Sequence, residues 1–205
     1  MAIYTVRHIS ELPKVVTGIL GNRGIIAHNS ENKGNGAVTW DADDDNTRSV
    51  LVTLVGCPAS GKSTVRAAIM RMDSIALCRT CVCPDDIRQG LFGDMSDQSH
   101  NGKVWDVAMR RLDESLSIHG NLVVFDSTAS HVRDRRRLAG VAASHGSIII
   151  EVWCDTPLEE CIERNGSRDR HVPQDVIVRM NASIHENPPV GDDFADDIII
   201  VRTGS

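Results

Sequence analysis

From residue 50 onward, short apolar runs alternate with longer stretches in which apolar residues recur at helical spacing. Leu51–Val55 is an apolar run of the kind found in a strand buried on both faces. A helix is predicted from Lys62 to Arg71, and Arg79–Cys83 reads as a second strand. Val104, Ala108, Leu112 and Leu116 recur every four residues, which marks the buried stripe of a long helix, with Gly120 as its stop. Asn121–Phe125 is a third strand. Residues 131–144 form a helix whose arginines (Arg133, Arg135, Arg136 and Arg137) predict a basic face. Ser147–Trp153 is a fourth strand. In Thr156-Pro157-Leu158-Glu159 the spacing predicts a helix start with Thr156 as N-cap and Glu159 closing a capping box. That helix runs to Arg164. Pro173 opens another, to about His185, and Ile198–Arg202 is the last strand. The alternation predicts an α/β fold: a parallel five-stranded sheet with helices on both faces.

Residues 1–49 break this pattern. They are rich in Gly and Asn and close on the acidic run Asp41 to Asp45. Short β-capable pieces stand at Ile3–Val6, Gly24–Ala27 and Ala37–Trp40. The expected organisation is a small hairpin-bearing N-terminal extension with an acidic linker (1–49), followed by the main domain (50–205). Trp40-Asp41-Ala42-Asp43 has the look of an aspartate-based phosphatase strand, but Asp44 stands where such motifs want Gly. It reads as a solvated acidic linker.

Composition narrows the partners. The net charge is −6, which argues against a long groove for nonspecific duplex binding. Aromatics make up 3%, too few for an extended stacking platform along a single strand. A nucleic-acid substrate would therefore be gripped over a short stretch. No apolar run has the length of a membrane span, and Met1 to His8 lack the features of a secretory leader. A cytoplasmic setting is expected. The six cysteines fit it as free thiols. Cys78-x-x-Cys81-x-Cys83 lacks a second knuckle for zinc.

The chemistry concentrates in Gly56-Cys57-Pro58-Ala59-Ser60-Gly61-Lys62-Ser63-Thr64, which fits G-x-x-x-x-G-K-[ST] between an apolar strand and a helix. Its glycines allow the backbone to wrap a phosphate. Lys62 reaches the β- and γ-phosphates, and the Ser63 hydroxyl ligates Mg2+. ATP and Mg2+ are the expected ligands, with Gly56, Ser60, Gly61, Lys62, Ser63 and Thr64 as the cradle. Asp85 and Arg88 stand past the second strand, where ligand crevices of parallel sheets lie. Asp85 there is either a general base for an attacking hydroxyl or a helix cap. Arg88, one turn on, either holds a phosphate bidentately or pairs with a surface acid. Asp126, at the end of the third strand, orders magnesium water, contacts the acceptor or caps its strand. Arg164, Arg168 and Arg170, with Gly and Ser between them, suit a mobile lid over ATP. The arginines at 133–137 either guide a phosphate backbone or form a solvated face. The histidines form no ligand pair; His100 and His171 near the site read as incidental.

Taken in order, the phosphate loop, Asp85-Asp86-Ile87-Arg88-Gln89, Asp126-Ser127-Thr128 and Glu163-Arg164-Asn165 with Arg168 resemble the kinase domain of phage and bacterial 5′-polynucleotide kinases of end-healing systems. Asp97-Gln98 through Val104-Trp105-Asp106-Val107 is similar to the bacterial branch. The resemblance spans roughly residues 50–187. It implies the P-loop kinase fold and a polynucleotide 5′-hydroxyl acceptor. Asp85 would be the general base, Arg88 would hold the 3′-phosphate of the terminal nucleotide, and Asp126 would serve the acceptor side. Arg164, Arg168 and Arg170 would form the ATP-facing lid. Residues 1–49 lie outside the resemblance; a repair partner would dock through them in the reading of the chain as a non-catalytic ATP-binding protein. Thr128 departs from the family's Asn, and the lid is about one residue shorter. The competing expectations are a small kinase of a nucleoside, sugar, antibiotic or aminoacyl-tRNA, and a non-catalytic ATP-binding repair partner.

Overall fold

The structure, a computed structural model, describes residues 1–25, 47–72, 77–169 and 171–202. It is an α/β fold built on one parallel sheet of six strands: β1 (Ala2–Val6), β2 (Val50–Val55), β3 (Cys78–Val82), β4 (Asn121–Phe125), β5 (Ile148–Cys154) and β6 (Asp197–Val201). Their order across the sheet is β1-β6-β5-β2-β4-β3. Every strand pairing is parallel, so every strand delivers its C-terminal end to the same edge.

Strand count corrects the expectation of five. Ala2–Val6 does not belong to a separate hairpin; it pairs in parallel with β6 from Ala2↔Asp197 to Val6↔Val201. Helix α1 (Leu12–Asn22) follows and buries Leu12, Val16, Ile19 and Leu20 on the sheet. As an edge strand, β1 buries only Val6, so its sequence carries little of the apolar signature of a central strand. Gly24–Ala27 is described only to Ile25, and Ala37–Trp40, Asp41 to Asp45 and Arg170 lie outside the described residues.

Alternation along each central strand divides the core. Val50, Val52 and Leu54 of β2 face the same side as Leu122 and Val124 of β4 and Ile148, Ile150 and Val152 of β5. There they meet α1 and α2 (Lys62–Met70) through Val65 and Ile69. On the other face Leu51, Val123, Phe125, Ile149, Ile198 and Ile200 meet the remaining helices. These are α3 (Pro84–Phe92), α4 (Asn101–Leu116), α5 (Val132–Ser144), α6 (Leu158–Gly166) and α7 (Gln174–Glu186). The four α4 positions predicted for the core, Val104, Ala108, Leu112 and Leu116, are its buried residues.

Two local expectations are corrected. Thr156 does not cap α6, whose N-cap is Pro157 without a side-chain bond; its hydroxyl donates instead to the Ser60 carbonyl at 2.9 Å. Arg135 is not on a basic surface. It is buried, donates from Nε and Nη2 to Asp192 and from Nη1 to the Ala129 carbonyl, and lies 4.0 Å from Glu151. A buried guanidinium needs such a set of acceptors; the Asn187 carbonyl completes it, and Glu151 lies beside it in the middle of the apolar run of β5.

Candidate nucleotide and acceptor site

The phosphate loop leaves β2 at Gly56. A Cβ there would lie 2.4 Å from Ser60 Oγ and 3.1 Å from Cys154 Cβ, so only glycine lets the turn close. Ala59 at φ 65° and Gly61 at φ 98° complete the wrap; Gly61 is also the N-cap of α2. The bend therefore ends on a helix N-terminus, where N–H groups and the helix dipole favour an anion. The Gly56 N–H donates to the Thr128 carbonyl at 3.2 Å, tying the loop to the turn after β4. The Thr156 hydroxyl holds it from the β5 side.

The Lys62 ammonium donates to the Gly56 and Cys57 carbonyls at 2.7 and 2.8 Å. It therefore lies across the loop. Burial lowers its pKa, against the pull of Cys154 and Asp126. Burial likewise raises the Asp126 carboxyl above its ordinary value, countered by Arg66 and Lys62. Ser63 and Thr64 are exposed at the start of α2. The donor set suits a hard cation: a hydroxyl at Ser63, a carboxylate at Asp126, and Ser127 Oγ, buried without a partner. Ser60 Oγ is buried in the same condition.

Cysteines surround the loop. Cys57 is pulled down to about 6 by its hydrogen bond with Cys161, assisted by Lys62. Burial pushes Cys154 up to about 12. All six thiols are free, and among the described residues no group could hold a metal through His, Cys, Asp and Glu.

Asp85 and Arg88 sit in the first turns of α3, directly past β3. Arg88 Nη1 donates to Asp85 Oδ1 at 2.5 Å and to the Met95 carbonyl at 3.2 Å, and Nη2 donates to Asn101 Oδ1 at 2.9 Å. Asp85 is 50% exposed and Arg88 only 3%. The expected base and phosphate clamp are thus together, but the guanidinium is committed to Asp85, Met95 and Asn101 within the protein. Asp85 and Asp86 lie near enough to Asp126 to act on its titration. Between them is a residue the sequence reading missed. Arg66, one turn beyond Lys62 on α2, pairs with Asp126 at 3.0 Å and reaches Asp86 at 3.7 Å. The spacing of four from Lys62 was the signal available in the sequence.

On the opposite flank, Arg164 lies in the last turn of α6 and donates to Glu160 at 2.7 Å. Arg168 is exposed in the following loop. Asn165, buried, donates from Nδ2 to the Val172 carbonyl at 2.9 Å and accepts the Val172 N–H at 3.0 Å. It closes the base of the loop that carries Arg168. His100 stacks on Phe92 with ring centroids 4.3 Å apart, and His171 is exposed.

A glycine turn between a buried parallel strand and a helix, with an acidic crevice beyond the neighbouring strand ends, defines the P-loop kinase fold. Within it, the chain belongs to the AAA domain family, whose model matches residues 51–187. It is similar to the bifunctional enzyme NodQ of Rhizobium tropici, at 33% identity over 132 residues, 58% of this chain and 19% of that protein. It is also similar to adenylyl-sulfate kinase of Shewanella pealeana, at 30% identity over 127 residues, 60% of each. The chain therefore spans less than two thirds of either relative. Among solved structures, the Pnkp1/Rnl/Hen1 RNA repair complex matches with a TM-score of 0.59 at 21% identity, covering 69% of this chain and 46% of that one. A second structure of the Pnkp1/Rnl/Hen1 complex matches with a TM-score of 0.50 at 28% identity, covering 58% and 41%.

Proposed function

We propose that this chain is a kinase that transfers the γ-phosphoryl group of ATP to the 5′-hydroxyl end of a polynucleotide, RNA or DNA, in nucleic-acid end repair. The observation that carries this reading is the Asp85–Arg88 pair, set beyond β3 and beside Asp126, with Lys62 across the loop on the other side. Likeness to the Pnkp1/Rnl/Hen1 complex at 28% identity supports it.

In this reading the loop from Gly56 to Thr64 holds the phosphates of ATP. Ser63 and Asp126 would hold Mg2+, which when bound would supply charge neutralisation at the phosphates. Asp85 accepts the proton of the 5′-hydroxyl as its oxygen bonds to the γ-phosphorus. The bond from that phosphorus to the bridging oxygen breaks, and ADP departs. Lys62, with Arg168 and Arg164 from the α6 flank, offsets the charge on the transferring group. Arg88 fixes the carboxylate of Asp85. Among the described residues no helix is long and apolar enough to cross a membrane.

A second reading, a kinase of a nucleotide-sized acceptor, is favoured by the identity with adenylyl-sulfate kinase and by the closed guanidinium of Arg88. The deciding experiment supplies γ-labelled ATP with 5′-hydroxyl RNA and DNA oligonucleotides, adenylyl sulfate, nucleosides and sugars. Label is expected on the oligonucleotide ends. Transfer to adenylyl sulfate, a nucleoside or a sugar at an equal or greater rate overturns the polynucleotide assignment. Asp85→Ala should abolish transfer and spare ATP binding; transfer undiminished in that variant removes the base from the mechanism.

A further inference from the structure

Asp85 stands half-exposed on the first turn of its helix, a place where a short carboxylate has several rotamers open to it. A reaction that needs its oxygen within hydrogen-bonding reach of one hydroxyl needs that freedom removed. Arg88 does so, and the question becomes what holds Arg88. Two of its bonds, to Asp85 and to the Met95 carbonyl, come from the same nitrogen, Nη1, and from the α3 side of the site. The third comes from Nη2 and crosses to α4, where Asn101 is the first helical residue. Nε is buried with no partner. A planar fork held at one nitrogen pivots; held at both, it does not. Asn101 is exposed, so its carboxamide has no packing reason to be at this position.

We infer that Asn101 is a positioning residue for phosphoryl transfer: through Arg88 it fixes the carboxylate of Asp85 against the attacking hydroxyl. The inference rests on the reading of Asp85 as general base, and it holds for any hydroxyl acceptor that Asp85 serves. The side-chain oxygen of Asn101 takes the Nη2 proton, Nη1 is left facing Asp85, and α3 and α4 are locked at the mouth of the crevice. Neither ATP nor the phosphate loop is touched by this arrangement. The effect therefore falls on turnover and not on nucleotide affinity.

The test compares wild type with Asn101→Ala and Asn101→Asp, using whichever acceptor the wild type phosphorylates best. Loss of a hydrogen bond to a charged group predicts a fall of about tenfold or more in kcat for Asn101→Ala. The KM for ATP and the midpoint of thermal unfolding should stay near wild type. Asn101→Asp keeps the accepting oxygen and should recover most of the lost turnover. On an Arg88→Met background, Asn101→Ala should cost nothing further, because the two act as one unit. A kcat within twofold of wild type for Asn101→Ala, or no recovery in Asn101→Asp, overturns the inference. So does an equal loss on the Arg88→Met background. A readout that needs no acceptor accompanies these. The Nη protons of Arg88 should be resolved separately by NMR in the wild type and merge in Asn101→Ala, as the guanidinium begins to rotate. Unchanged spectra overturn the inference even if no acceptor is phosphorylated. Transfer to adenylyl sulfate rather than to oligonucleotides, with the Asn101 effects intact, defeats the polynucleotide reading alone.

Discussion

At Gly56 a single hydrogen stands where any side chain would press on Ser60 Oγ at 2.4 Å. Gly56→Ala is expected to distort the loop at a cost of about 1–3 kcal/mol, seen as roughly tenfold or more weaker ATP binding in calorimetry. Glu151 makes a different kind of prediction. Burial raises its pKa from 4.5 to about 9, reinforced by Asp192 and only partly offset by Arg135. The folded chain therefore keeps a proton that the unfolded chain releases between those two values. The contribution of the neutral form is complete below 4.5 and is lost as pH rises through about 9. Glu151→Gln, which imitates the protonated acid, should flatten that decline. Denaturation midpoints measured across the window should converge at its acid end and favour the variant at its alkaline end. A parallel pair of curves would refute the buried neutral acid. Glu151 was legible in principle, as a lone charge inside Ile148–Cys154. Arg135 was not: in a run of arginines nothing local separates the buried one from its neighbours, and only Asp192, far along the chain, makes the difference.

Elements show the same division between local and tertiary causes. The strands β2, β4 and β5 were readable because burial on both faces makes them almost continuously apolar, and the stripe of α4 because its buried face recurs at helical spacing. The phosphate loop was readable because its function needs those residue types at that spacing. The cap of α6 was misread because the helix starts one residue later, after Pro157, and the Thr156 hydroxyl is turned to the Ser60 carbonyl in another element. The closure of Arg88 was unreadable because Asn101 comes from a different helix. Asn165 belongs to the same class. Its two bonds to Val172 hold the base of the loop that presents Arg168. Asn165→Ala should raise the KM for ATP about fivefold or more as that loop loosens. Asn165→Asp, which cannot donate to the Val172 carbonyl, should show part of the same effect. Steady-state kinetics at varied ATP checks both, and an unchanged KM in the alanine variant would separate Arg168 from the donor.

Across the whole molecule, residues 2–22 complete the sheet. Val6, Leu12, Val16, Ile19 and Leu20 are buried in the core they share with α2. Each is worth about 1.5–3 kcal/mol when fully buried, and a domain of this kind has only about 5–15 kcal/mol in all. A chain lacking residues 1–25 is therefore expected to lose cooperative unfolding and to self-associate through the bared edge of β6. Circular dichroism and light scattering check this; a truncated chain that melts near the intact one would show that the first strand is dispensable.

The hook from Thr156 to Ser60 has a mechanical consequence. The helix that leads to Arg164 and Arg168 is anchored on the very turn that wraps the phosphates, so that turn is the fulcrum and α6 the lever. In the proposed kinase reading, a shift of the glycine bend as phosphates settle into it would be carried through that hydrogen bond to α6 and to the arginines at its far end.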